Sequence, residues 1–160
     1  MNLGRQGYRW FAHADERVEL RRLGDELEDA ALAVVRTQLL ADSLRGAIEQ
    51  ADDSLRIERA GIRRIERRAE AFSLPPTLYD EYRRELSRYN RRVETRNASY
   101  EEWRTVVEDN HRSVDRYNGL ADSMRSLGRQ MGEPYLAIPS PAEVALRHGL
   151  RDPRAPAETG

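Results

Sequence analysis

Apolar residues recur along this chain at alternating intervals of three and four. From Leu20 the series runs Leu20, Leu23, Leu27, Ala30, Val34, Thr37, Ala41, Leu44, Ile48, Ala51, Leu55, Glu58, Ile62, Ile65, Ala69 and Phe72, and only Thr37 and Glu58 are polar. A second series, Tyr79, Tyr82, Leu86, Tyr89, Val93, Arg96, Tyr100, Trp103, Val107, Asn110, Val114, Tyr117, Ala121, Met124, Gly128 and Met131, is interrupted at Arg96, Asn110 and Gly128. Of these 32 positions 27 are apolar or aromatic, against about 12 expected by composition, so the spacing marks helix faces. Two long heptad helices follow from it.

Between the two series stands Ser73-Leu74-Pro75-Pro76-Thr77. Its prolines remove backbone donors and restrict the residue before each, which rules out one continuous helix. A short turn between helices of similar length makes an antiparallel hairpin, each arm ~80 Å long at ~1.5 Å per residue. After Met131 the heptads stop at Gly132-Glu133-Pro134, and Tyr135–Pro139 reads as an extended segment. Ser140-Pro141-Ala142-Glu143 has the N-cap, N1 proline and N3 glutamate of a helix start, with Gly149 as its stop. The expected fold is all-α: a two-helix antiparallel coiled-coil hairpin followed by a short extended segment and helix. Its parts are an N-terminal arm (1–12), helix 1 (13–73), the Pro-Pro turn (74–77), helix 2 (78–131), the extended segment plus short helix (132–150) and a disordered tail (151–160).

Aligning the arms about the turn sets Phe72 opposite Tyr79 and gives each polar interruption a partner. Glu58 and Arg96 fall in adjacent layers and are expected to pair, as are Thr37 and Asn110; on the flank Glu66 meets Arg83. Buried polar groups at defined layers fix register at some cost in stability.

The first helix carries more apolar surface than a two-stranded seam needs. Leu32, Val35 and Leu39 form a second stripe, while Leu40, Val106, Leu120 and Leu127 gather on a separate flank. Such surface requires a cover. Either the C-terminal segment folds back, bringing Tyr135, Leu136, Ile138, Val144 and Leu146 onto it, or a second chain docks there, with Tyr8, Trp10 and Phe11 available to either arrangement.

Composition adds direction to this picture. The 160 residues carry 27 basic and 28 acidic side chains, and every basic one is arginine. The formal charge of −1 argues against a general polyanion binder. The balance is uneven along the chain, however. From Arg56 to Arg96 twelve arginines face seven acids, whereas residues 13–55 hold five arginines and eleven acids. The turn-proximal end is therefore basic, with Arg59, Arg63, Arg64, Arg67, Arg84, Arg88, Arg91 and Arg92 as candidate contacts for an anionic surface.

Catalytic chemistry finds little support. His13, His111 and His148 lie in different segments without metal-ligand spacing, cysteine is absent, and no phosphate-binding loop or nucleophile elbow occurs. No cofactor, metal or small-molecule substrate is expected. Asn97-Ala98-Ser99 matches a glycosylation sequon, but it falls inside a helix. Without a signal-like h-region or an apolar run long enough to span a bilayer, a bacterial cytoplasmic location is expected. The expected function is that of a non-catalytic structural or adaptor protein, or accessory subunit, binding a protein partner or itself through the end of the hairpin opposite the turn. The alternative is a binder of anionic membrane or nucleic acid through the arginine-rich turn end.

Overall fold

The computed structural model describes residues 14–71, 73 and 75–150. These form three helices and no strand: α1 (Ala14–Ala71), α2 (Pro76–Gln130) and α3 (Pro141–Arg147). The two long helices pack against each other as an all-α helical hairpin. The arm assigned to residues 1–12, with Tyr8, Trp10 and Phe11, and the tail assigned to 151–160 lie outside the described residues. Helix α1 opens on Asp15 and Glu16 and closes near Arg68, charges that complement the partial charges of its ends. Helix α2 begins at Pro76, inside the stretch assigned to the turn. Proline suits a first helical position, because its φ is preset and the donor it lacks has no intrahelical partner there. The Leu78 and Tyr79 amides both donate to the Pro75 carbonyl at 3.0 Å, closing the first turn.

The chain divides into two compact units. Unit 1 takes the described residues up to Leu39 and those from Glu108 onward; unit 2 is Leu40–Val107.

In unit 1, Leu23, Leu27, Ala121 and Met124 form a buried cluster, onto which Leu20, Tyr117, Leu120 and Leu127 pack from the two helices. Leu136 and Ile138 close it from the segment after α2. A second cluster joins Ala31 and Leu32 of α1 to Val144 of α3, with Tyr117 and Leu150 beside it. The apolar excess of α1 thus has an occupant within the chain. Burying a side chain such as Val144 or Leu32 contributes about 1.5–3 kcal/mol, enough to hold a short segment that could not fold alone. Tyr117 contacts both clusters, and its hydroxyl donates to the Pro139 carbonyl at 2.8 Å. Burial raises its pKa, which keeps this donor protonated.

Two local devices shape the returning segment. Ser140 and Glu143 form a reciprocal capping box at the start of α3, with Pro141 in the first turn. At Gly128 a β-carbon would lie 2.9 Å from the Glu133 carbonyl oxygen and 3.3 Å from the Leu136 side chain. Gly128→Ala is therefore expected to cost about 1–3 kcal/mol in a thermal melt. At Gly119 a β-carbon meets nothing within 4 Å, so Gly119→Ala should be neutral or stabilise by up to ~1 kcal/mol.

Unit 2 is built more sparsely. Its buried apolar residues are Ala41, Ile48, Leu55, Ile62 and Val106, and no described residue from Arg63 to Thr105 is buried. This corrects the seam read from the heptads. Tyr79 and Tyr100 retain 51% and 39% exposure, and Ala69 is exposed. Two helices enclose only a narrow strip, so large rings lie across its edge with their hydroxyl ends hydrated.

The polar interruptions also differ from expectation, since no polar or charged side chain among the described residues is buried. Thr37 and Asn110 do meet within unit 1: the Asn110 amide donates to Thr37 Oγ1 at 2.9 Å and to the Val34 carbonyl at 3.0 Å. Thr37 in turn donates to the Ala33 carbonyl at 2.7 Å, so its half-buried hydroxyl both donates and accepts. Glu58 and Arg96 do not pair. Arg92 takes Glu58, and Arg96 grips Asp52 through two contacts of 2.7 and 3.0 Å. Each charge reaches the nearest partner on its own flank and avoids crossing the layer of Leu55 and Val93, which keeps both groups hydrated. Glu66 likewise accepts from the Tyr82 hydroxyl at 3.1 Å rather than from Arg83.

Candidate functional site

In unit 2, α1 and α2 border an open groove of about 600 Å³. One wall is a ladder on α1, Arg56, Arg59, Arg63 and Arg67, spaced by three or four residues and so standing on one face. Leu55 and Val93, the buried and half-buried apolar members of the groove lining, form the floor; Asp52 and Ala60 of α1 also line the groove, and Tyr89, Arg96 and Asn97 of α2 stand opposite. The result is an apolar floor under a cationic rim.

The arginines differ in how committed they are. Arg56 is tied to Asp53, Arg96 to Asp52, and the Arg59 guanidinium sits 5.9 Å over the Tyr89 ring. Arg63 and Arg67 are exposed and have no ion-pair partner among the described residues. Of the other candidates, Arg88 pairs with Glu85 and Arg92 with Glu58, while Arg64, Arg84 and Arg91 are exposed without such partners. Arg84 and Arg91 border two separate shallow depressions along α2. The eight arginines thus divide into a groove set (Arg59, Arg63, Arg67), a paired set and an outlying set. Arg56, Tyr89 and Asn97 join the site although charge density alone does not single them out; the i, i+3, i+7, i+11 spacing from Arg56 is the sequence signal for the ladder.

The apolar candidates are mostly engaged within the chain. In unit 1, Leu32, Leu120, Leu127, Leu136, Ile138 and Val144 pack in the two clusters, so as an intermolecular interface this set is superseded by an internal contact. Val35 and Leu39 are half-buried, and Val106 is buried in unit 2. Exposed surface remains at Leu40 (47%), Tyr135 (97%) and Leu146 (66%). Leu146 borders a shallow hollow with Pro139, Glu143 and Arg147. Near it His148 Nε2 lies 2.6 Å from Glu28 Oε1, joining the end of α3 to α1.

Four carboxylates are held below their ordinary pKa: Glu19 by the hydrogen bond from Arg22, Glu28 by that from His148, Asp52 by that from Arg96, and Glu143 by the Ser140 backbone and hydroxyl. A lowered folded-state pKa contributes stability above the unfolded value and loses it as pH falls through the folded one. The helical signal in circular dichroism should therefore melt at progressively lower temperature below pH ~4, and Glu143→Gln should flatten part of that dependence.

Among the described residues no group of three or more histidines, aspartates or glutamates is placed to hold a metal ion. His111 is exposed, and His13 lies outside the described residues. No described helix is long and apolar enough to cross a membrane. No family model, curated protein or solved structure matches the chain.

Proposed function

We propose that the chain is a non-catalytic helical-hairpin adaptor or accessory subunit that works by binding an acidic protein surface. The observation that carries this reading is the groove of unit 2, in which unpaired guanidiniums overhang an apolar floor. Helical partners are recognised by that combination, apolar anchors below and complementary charge at the rim. The apolar flank of unit 1, nominated from sequence for the same role, is the weaker candidate because the chain's own C-terminal segment occupies most of it. A second reading, binding of nucleic acid or anionic membrane, draws on the same unpaired Arg63 and Arg67. Asp52 within the groove lining opposes a continuous phosphate backbone, and Arg59 already covers the Tyr89 face on which a base would stack.

The test titrates the full chain into three labelled probes: a glutamate-rich amphipathic helical peptide, a single-stranded oligonucleotide, and vesicles of anionic phospholipid. The peptide is expected to bind best, and the triple variant Arg59→Gln, Arg63→Gln, Arg67→Gln to weaken it about tenfold or more. Tighter binding of the oligonucleotide or the vesicles would replace the adaptor reading with the second one.

A further inference from the structure

We infer that the groove of unit 2 receives a second copy of this chain, through the acidic stripe at the start of α1. This rests on the adaptor reading and names the partner. The stripe consists of Asp15, Val18, Arg22, Asp25 and Asp29, which share one face at helical spacing. Asp15, Asp25 and Asp29 are exposed and lack an ion-pair partner among the described residues. Arg22, the single basic member, is already neutralised by Glu19 and Glu26 of its own helix. Val18 stands 61% exposed amid these carboxylates, an apolar side chain that unit 1 leaves uncovered.

Groove and stripe match in three respects. The sign is opposite: a ladder with two arginines that have no ion-pair partner among the described residues meets a face with three aspartates in the same condition. The spacing is equal, because Asp25 and Asp29, like Arg63 and Arg67, are four residues apart, or ~6 Å along the axis. The length agrees as well, at ~21 Å from Asp15 to Asp29 and ~16 Å from Arg56 to Arg67. Laid into the groove, the stripe brings Val18 to the Leu55 and Val93 floor and its aspartates to the rim. Every copy carries both halves of the contact, so self-association needs no other component. The near-zero net charge of the chain, −1, follows naturally if each basic surface is matched by an acidic one on the same molecule. Exposed ion pairs are individually weak and screened by salt, which makes the association modest and salt-sensitive.

Light scattering on the full chain at about 100 μM provides the test. Association is expected at low ionic strength, with the dissociation constant rising about tenfold or more as salt approaches ~0.3 M. Arg59→Glu, Arg63→Glu, Arg67→Glu in one variant and Asp25→Arg, Asp29→Arg in another should each leave a monomer with an unchanged circular dichroism spectrum. Mixing the two should restore association, since the reversed groove of one then faces the reversed stripe of the other. A monomeric parent chain, association indifferent to both variants, or a mixture that stays monomeric would each overturn the inference. If the parent chain is monomeric yet the groove still captures the glutamate-rich peptide, the second copy fails as partner and the adaptor reading stands; if the peptide fails too, both are lost.

Discussion

Val144→Asp is expected to detach α3 from unit 1. Val144 has 0% exposure and faces Ala31, also at 0%, and Leu32 at 8%. Burying an unpaired carboxylate there costs more than a seven-residue helix gains by docking, about 1.5–3 kcal/mol for its one fully buried side chain. The segment should therefore leave rather than accept the charge. Limited proteolysis would report cleavage between residues 133 and 150, and an apolar dye would bind the uncovered Ala31 and Leu32 face. Unchanged protection would mean that the returning segment is held chiefly by Leu136, Ile138 and the Tyr117 hydrogen bond. Glu143→Ala, which removes half of the capping box but no buried surface, should loosen the segment by only about 1 kcal/mol.

The second large effect belongs to Leu27→Ala. At 1% exposure inside the main cluster, Leu27 is surrounded from both long helices and the returning segment, so the cavity left behind has little room to collapse. A loss of about 3–4 kcal/mol is expected, or roughly 10 °C in the melting midpoint for a chain of this size. Leu55→Ala in unit 2 removes the same atoms beside an open groove, where solvent and neighbouring side chains can fill the gap. It should cost about half as much. Equal losses at the two sites would show that the groove is closed in solution.

The hairpin was legible because helical periodicity is a one-dimensional signal: a spacing of three and four, two prolines, and a serine-proline-glutamate helix start are all local. What the seam does with its members is not local. Tyr79 and Tyr100 occupy core positions in the pattern and yet remain substantially exposed, because the pattern records direction and not whether two helices can surround a ring. Glu58 and Arg96 were matched by layer, but long charged side chains choose partners by reach and hydration, and Asp52 and Arg92 were nearer on the flanks. The excess of apolar residues around Ala31 announced that something covers α1. Identifying the cover required the path of the chain after Gly128, which depends on a close approach to the Glu133 carbonyl. The groove was half visible: charge density was readable, whereas the sorting of arginines into paired and free emerged only with their neighbours in place.

The absence of buried residues among those described from Arg63 to Thr105 gives the two units different kinetic lives. Amide hydrogens around the turn should exchange with solvent through small, frequent openings, while those near Leu27 and Ala121 wait for much larger ones. If the groove takes a helix as proposed, openings of this kind would let its arginines shift toward the partner while the core around Leu27 stays closed, and a rigidified turn region would be expected to lose that compliance.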